Sequence, residues 1–326
     1  MSELNIAVRT VHYAATLLLF GCSAFFWMVA SPAFRTATGA RLDEQERFDR
    51  WSQRIRNWSA AVALGSGVLW LLIMASNMSG LPFDQAIDSG ILGTVLGETL
   101  FGRVSMLRFV LALLLIGVLL LDRYSANARG RRMAEACSGL LAAMLLATLA
   151  CTGHAVAEQG AERFVHLAAD ALHLLAAGAW VGALPLLVYV LARAVRAGDP
   201  SIHGLASEMT RRFSAMGIVA VGCLVLTGSV NSWYLVGGPP HWFGTRYGQL
   251  LLLKLALFGA MVVLAAINRQ RLLPTVLAAS RNPSDGAASR GQLWLCRNAV
   301  VETALGLLIV SIVGILGTTT PAVHMH

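Results

Sequence analysis

The amino-acid sequence predicts an all-α polytopic membrane protein with eight transmembrane helices, built as two parallel four-helix repeats with both termini outside the cytoplasm. Three observations predict this fold: a composition poor in charge, eight long apolar runs, and cationic residues concentrated in every second loop. Of the 326 residues, 56% are hydrophobic and 13% are charged. Soluble domains carry roughly 25% charged residues, so this composition is typical of a chain that lies in lipid.

Each apolar run is long enough to cross a bilayer as a helix. About 20 residues span roughly 30 Å of hydrocarbon at the rise of an α-helix. None of the runs shows the strict alternation of apolar and polar residues that marks a barrel strand. The runs lie near residues 10–30, 57–78, 103–121, 134–152, 165–191, 214–236, 248–267 and 299–317.

The cationic residues set the predicted orientation. Nineteen of the 25 Lys and Arg residues fall in four segments, 35–56, 123–132, 193–212 and 269–297, and these are alternate loops. Because cytoplasmic loops are enriched in Lys and Arg, we expect these four loops to be cytoplasmic. This placement also explains the net charge of +8, which therefore does not indicate a nucleic-acid partner.

The two halves of the sequence resemble each other. The segment 9–15, Arg-Thr-Val-His-Tyr-Ala-Ala, is similar to the segment 163–169, Arg-Phe-Val-His-Leu-Ala-Ala. We therefore predict two four-helix units, residues 1–152 and 153–326, in the same orientation and related by a pseudo-twofold axis along the membrane normal. In that arrangement His12 corresponds to His166, and a functional site is expected between the halves.

Histidines are concentrated near one predicted membrane face. Seven of the eight lie in or near the outer half, and only His203 is expected on the cytoplasmic side. Imidazole combined with thioether suits copper, and the thioether favours Cu(I). The alternative for each histidine is a structural role as a helix cap or an interfacial hydrogen-bonding group. The candidate metal ligands are His12, His154, His166, His173, His324, Met325 and His326.

Three ionisable side chains, Arg108, Asp170 and Lys254, lie about two turns below the predicted outer surface. An unpaired charge at that depth costs several kcal/mol, so pairing is expected. We predict an ion pair between Asp170 and Lys254, with Arg108 as the other possible partner of Asp170. A structural ion pair is favoured over a proton relay.

Near the predicted cytoplasmic face, fewer side chains could bind a metal ion. Glu135 and Glu302 are expected to pair with Arg123 and Arg269 across short hairpin turns. Soft side chains that could guide a metal ion through the inner half are Met28, Met144, Met216, Cys137 and Cys223. Each of these could equally serve packing.

An ordered set of motifs runs through the second half. It comprises Gly153-His154-Ala155, His166, Asp170, His173, Trp180-Val181-Gly182, Phe213-Ser214, Tyr247 to Leu251, Lys254, Asn268-Arg269, Pro274, Glu302 and Pro321. Over about residues 134–321 this set resembles the copper-resistance D (CopD) family of bacterial inner-membrane proteins. The resemblance implies copper handling at the inner membrane, with uptake from the periplasm in cooperation with a soluble periplasmic copper-binding protein. It supports His154, His166 and His173 as functional residues. In an inner membrane, the orientation predicted from the cationic loops puts both termini in the periplasm.

Three functions are compatible with these observations. The first is a copper-binding permease, not an enzyme, that works without direct ATP hydrolysis because the sequence has no Gly-Lys-Ser/Thr phosphate loop. The second is an electron-transfer protein in which His12 or His154, together with His166 or His173, ligates haem b. The third is a scaffold that assembles a copper protein without transport. The oligomeric state and the direction of transport stay open at this point.

Overall fold

The structure is a computed structural model that describes residues 2–36, 42–87, 89–123, 127–153, 160–236, 240–281 and 287–320. Its helices are α1 (Ser2–Phe25), α2 (Ser31–Thr36), α3 (Leu42–Ser79), α4 (Ser89–Glu98), α5 (Leu100–Asp122), α6 (Ala128–Ala147), α7 (Gly160–Trp180), α8 (Leu184–Ala197), α9 (Pro200–Val236), α10 (Pro240–Gly244), α11 (Arg246–Ile267), α12 (Leu273–Arg281) and α13 (Ala287–Leu316). Single π-helical turns, Phe26–Ala30 and Asn268–Leu272, continue α1 into α2 and α11 into α12. The described residues contain no strand.

Within these described ranges, eight helical spans are long and apolar enough to cross a membrane, which confirms the predicted all-α fold with eight spans. We call the end of the bundle where α1 begins and α13 ends the terminal side, and the opposite end, with the Arg-rich loops, the basic side. The location of the termini and the division into units 1–152 and 153–326 stay predictions.

Two helices are longer than a bilayer requires. α3 has 38 residues and α9 has 37, so each is about 55 Å long against roughly 30 Å of hydrocarbon. The extra turns lie on the basic side, where Arg193 of α8 donates to Glu44 of α3 at 2.6 Å. Trp51 stacks on Tyr189 nearby, with ring centroids 4.0 Å apart. The protein core therefore extends beyond the apolar runs.

The predicted span 165–191 is two helices instead of one. α7 ends at Trp180, and α8 begins at Leu184 after a short turn. Pro185 lies in the first turn of α8, where its missing amide hydrogen costs nothing. The same proline could not continue α7, because it would remove a helical hydrogen bond and clash with the preceding turn.

The first helices of the two halves cross at small residues. An added Cβ at Gly21 of α1 would overlap the backbone of Gly182, and one at Gly182 would overlap the backbone of Leu17. Glycine therefore permits the close backbone approach at this crossing, as it does in other membrane helix pairs. Gly21 and Gly182 are 161 positions apart in the sequence.

The spacing of 161 positions also relates two hydrogen bonds. His12 Nδ1 lies 3.0 Å from Ser66 Oγ, and His173 Nδ1 lies 3.0 Å from Thr227 Oγ1. Each member of the second pair follows its counterpart by 161 positions. These contacts match His12 with His173, two helical turns away from the predicted match with His166. The duplication itself stays a prediction.

Candidate functional site

A cavity of about 530 Å³ lies inside the second half of the bundle, toward the terminal side. Residues of α7, α9, α11 and α13 form its walls, and Arg9 and Tyr13 of α1 complete the lining. We call it the terminal cavity. Four of the predicted site residues line it, namely His166, Asp170, His173 and Lys254.

One face of α7 carries three of the four predicted site residues that line the terminal cavity. His166, Asp170, His173 and Trp180 follow one another at intervals of four, three and seven residues, which places them on one side of an α-helix. All four line the cavity. Trp180 is only 1% exposed and lies at the end farthest from the terminal side. The helix thus arranges its candidate ligands at successive depths.

Hydrogen bonding determines the tautomer of His173. Its Nδ1 lies 3.0 Å from Thr227 Oγ1, and the Thr227 hydroxyl donates its proton to the Cys223 carbonyl at 2.6 Å. Thr227 Oγ1 is therefore the acceptor and His173 Nδ1–H is the donor, which leaves the lone pair on Nε2. Metal-ligating histidines are held in the same way by an outer partner.

Asp170 supplies a carboxylate to the terminal cavity. Its Oδ1 accepts a hydrogen bond from Asn231 Nδ2 at 3.1 Å. Lys254 and His166 interact with Asp170 electrostatically, but no direct ion pair joins the described Asp170 and Lys254. The predicted pair thus shares one cavity without forming a locked salt bridge. Arg108, the other suggested partner, lies in the first half.

His166 is buried at the outer part of the cavity. It is 2% exposed, and its ring stacks on Tyr234 with centroids 4.8 Å apart and an interplanar angle of 11°. Gly153 also approaches this region, since a Cβ there would lie 3.6 Å from Asp170 Oδ2. Four candidate ligands, His154, His324, Met325 and His326, lie outside the described residues.

α11 adds a residue that the sequence analysis missed. Tyr247, Lys254 and Met261 are spaced by seven residues, and all three line the terminal cavity. Met261 is fully buried and brings a thioether, a ligand that suits Cu(I). Met261 lies two turns after Lys254 on the same helical face, and this spacing is the signal that would have identified Met261 from the sequence.

The soft residues predicted for the inner half do not line the terminal cavity. Met28 and Met144 are about half exposed on the outside of the bundle, at 51% and 46%. Cys137 is exposed as well. Met216 is buried in the main hydrophobic core, and Cys223 lies 3.9 Å from the Leu172 carbonyl. The structure gives these side chains packing roles.

His12 lies apart from the other histidines. It lines a pocket of only about 10 Å³ in the first half, together with Trp70 and Arg108. Ser66 donates to the Val62 carbonyl at 2.6 Å, so His12 donates through Nδ1 to Ser66, as His173 does to Thr227. The buried Nε2 of His12 has no hydrogen-bond partner among the described residues.

Trp70 fills the space around His12. Its ring is contacted by the guanidinium carbons of Arg9 and Arg108, at 4.9 and 5.2 Å from the ring centroid. Arg108 also donates to the Thr148 carbonyl at 2.8 Å and to Thr152 Oγ1 at 3.0 Å. No Asp or Glu among the described residues lines this pocket to balance Arg108, so the binding of another cation there is disfavoured, whereas Asp170 lines the terminal cavity. His12 lies in a different pocket from His166 and His173, and the structure does not bring the three together.

In the described part of the chain, no group of three or more His, Cys, Asp or Glu residues is arranged to hold a metal ion. A haem with two histidine ligands would need two rings that face each other across one cavity. His166 and His173 belong to the same helix, and His12 lines a different pocket. No contact in the described residues therefore favours haem.

A second cavity, of about 340 Å³, lies on the basic side of Trp180. We call it the basic cavity. Trp180 lines both cavities and packs edge-to-face with Phe258 of the terminal cavity, at 6.1 Å between centroids. Glu302, Asn268 and Gly217 line the basic cavity. The two spaces thus follow one another along the second half, and the Trp180 side chain borders both.

The predicted hairpin ion pairs at the basic side are wrong. Glu135 accepts a hydrogen bond from Arg56 of α3 at 2.5 Å, not from Arg123. Glu302 accepts from Asn268 at 2.7 Å, and Arg269 donates to Ser214 instead. Neighbouring helices, which a hairpin argument ignores, provide these partners.

Comparison with known proteins places the chain among copper-related membrane proteins. The family model for the N-terminal domain of copper resistance protein D-like proteins matches residues 1–164, and that for copper resistance protein D matches residues 207–316. Copper resistance protein D of Pseudomonas syringae pv. tomato is 31% identical over 98% of this chain and 97% of its own length. Inner membrane protein YebZ of Escherichia coli (strain K12) is 30% identical over 97% of this chain and 98% of its own length.

A third relative is similar over a shorter part. Copper transport protein CutJ of Bacillus subtilis (strain 168) is 31% identical over 80% of this chain and 45% of its own length. No solved structure matches the chain. The similarity covers both halves, including the first half, where the motifs are less distinct.

Proposed function

The chain belongs to the copper resistance protein D family and is a multi-pass protein of the inner membrane, and we propose that it carries copper toward the cytoplasm through the second half of its bundle. One observation carries this proposal. Two cavities, about 530 and 340 Å³, lie one after the other in that half with Trp180 between them. The name of the B. subtilis relative, a copper transport protein, agrees with this function.

The terminal cavity is the proposed site of copper capture. By the distribution of cationic loops it faces the periplasm. On α7, His173 has a free Nε2 lone pair for the metal, and the carboxylate of Asp170 adds negative charge. The Met261 thioether of α11 lines the same cavity. Lys254 balances Asp170 while the cavity holds no cation. A soluble periplasmic copper-binding protein is the proposed donor.

Passage toward the cytoplasm requires Trp180 to move. Its indole packs on Phe258 and borders both cavities, and in this proposal displacement of the side chain joins them. Transporters with cavities on opposite sides of a central barrier work by alternating access. The proposed route runs mainly through the second half, and Arg9 and Tyr13 of α1 are the first half's contribution to the terminal cavity.

Copper accumulation in cells tests the proposal. Cells that lack other copper-uptake systems would express equal amounts of wild type, His166→Ala, His173→Ala and, as the control, His241→Ala in the short helix α10. Cytoplasmic copper is then measured by elemental analysis after cell fractionation. We expect wild type and His241→Ala to accumulate copper and the other two variants to lose most of it.

Two results would contradict the proposal. Equal copper accumulation in all four strains would show that His166 and His173 of α7 are not needed for copper transport. Copper bound to the purified protein without any cytoplasmic accumulation would favour the scaffold function over transport.

A further inference from the structure

Glu135 lies on the fourth membrane span and Glu302 on the eighth, the last span of each predicted four-helix unit, but the two residues have different partners. Glu135 accepts from Arg56 at 2.5 Å, and the two side chains are only 10% and 7% exposed. A buried carboxylate paired with a guanidinium has its charge balanced within the protein. Glu135 is therefore a structural residue.

Glu302 is also buried, with 3% of the residue exposed against 8% for Glu135, but its partner is neutral. Its Oε1 accepts from the side-chain amide of Asn268 at 2.7 Å, and Asn298 donates to Asn268 Oδ1 at 2.6 Å. Arg269, which follows Asn268, donates to Ser214 Oγ at 3.0 Å. Among the described residues Glu302 has no cationic partner, and its carboxylate borders the basic cavity.

The place that Arg56 occupies in the first half is held by Gly217 in the second. The two positions are 161 apart, the spacing that relates the His12–Ser66 and His173–Thr227 hydrogen bonds. Gly217 lines the basic cavity, as Glu302 does. Because Gly217 has no side chain, the cavity stays open and the carboxylate stays without a counter-charge.

We propose that Glu302 is a second cation-binding position on the copper route, on the basic side of Trp180. The inference rests on the proposed function, because the cation in question is the copper ion that has passed Trp180. A carboxylate removed from water and lacking a counter-charge attracts a cation strongly. A single carboxylate oriented by a neutral amide also releases the ion again, which conduction requires.

Two substitutions test this position in proteoliposomes. Copper is supplied on the terminal side of the protein, and its flux across the membrane is measured. Glu302→Gln removes the charge with little change of shape, and Gly217→Arg supplies the guanidinium that the first half has. The matched control is Gly217→Ala, since a Cβ there would lie 3.8 Å from Trp180 Nε1, an ordinary contact. We expect copper flux to fall at least tenfold in the first two variants and to persist in the control, with copper binding at the terminal cavity unchanged in all three.

The outcomes separate this inference from the proposed function. If wild type carries copper and Glu302→Gln carries it equally fast, Glu302 is not a position on the route and only this inference fails. If wild type carries no copper, the proposed function fails and the inference falls with it.

Chemical labelling gives a readout that does not depend on flux. A lipid-soluble carbodiimide should modify Glu302 and leave Glu135 largely unmodified, because Arg56 pairs with Glu135 inside the same molecule. Cu(I) supplied from the basic side should then reduce the labelling of Glu302, measured by peptide mass spectrometry. Equal labelling of the two residues, or labelling of Glu302 that copper does not change, would overturn the inference.

Discussion

Thr227 Oγ1 accepts a hydrogen bond from His173 Nδ1 at 3.0 Å, because the threonine hydroxyl has already given its proton to the Cys223 carbonyl. His12 makes the same bond to Ser66 in the other half. One ring lines a cavity of about 530 Å³, whereas the other lies in a pocket of about 10 Å³. The two imidazoles therefore differ in their surroundings, not in their hydrogen bonds, and His173 is the one that faces a large cavity.

The Thr227–His173 bond predicts the effect of Thr227→Val. Valine keeps the shape of the side chain but cannot accept from His173 Nδ1–H, so the ring loses its fixed tautomer and orientation. Loss of such an outer partner typically weakens metal binding about 10- to 100-fold, and we expect a weakening of this size, measured by competition with a Cu(I) chelator. Ser311→Ala is the control, since Ser311 only donates to the Leu307 carbonyl. Unchanged affinity in Thr227→Val would contradict the role of Thr227 as the outer partner of a copper ligand.

The carboxylate of Asp170 should contribute to copper capture through its charge. Asp170→Asn keeps the size of the side chain but leaves Lys254 as an uncompensated cation in the same cavity. We expect copper affinity to fall on the order of tenfold, which corresponds to about 1.4 kcal/mol. Asp43→Asn, at the exposed start of α3, should leave the affinity unchanged. A loss of similar size in both variants would argue for an effect of net charge alone.

The Arg56–Glu135 pair should stabilise the fold without affecting copper. Arg56→Met leaves a buried carboxylate unpaired, and breaking a buried ion pair in this way costs about 3–5 kcal/mol. We expect that loss in the free energy of unfolding, measured by titration with denaturing detergent, together with normal copper affinity. The double variant Arg56→Met/Glu135→Leu should recover much of the stability, because no charge is then left unpaired. A stable Arg56→Met variant would contradict the structural role of the pair.

The length of the apolar runs was sufficient to predict the eight spans, because a helix in lipid must be long and apolar along its whole length. The break of one span at Trp180 was less visible. Pro185 marks it in the sequence, but the apolar run continues through it, so composition alone does not divide α7 from α8.

The candidate site was predictable where its residues share a helix, and for Lys254 of α11, whose depth in the membrane matches that of Asp170. His166, Asp170 and His173 follow one helical face, and the structure places them together in the terminal cavity. The placement of His12 depended on how the halves pack, and in the structure Trp70, Arg9 and Arg108 occupy the space around it. Partners from other helices, such as Arg56 for Glu135, are set by tertiary packing that no local pattern records.

The central claim is that copper crosses the membrane through the second half, and copper flux into proteoliposomes tests it most directly. Radioactive copper uptake would be compared for wild type, His173→Ala and His12→Ala, each normalised to folded protein. We predict that His12→Ala carries copper at the wild-type rate and that His173→Ala loses at least nine-tenths of the flux. The reason is that His173 lines the terminal cavity, whereas His12 lies in a small pocket outside the proposed route. Flux that survives in His173→Ala and disappears in His12→Ala would contradict the account.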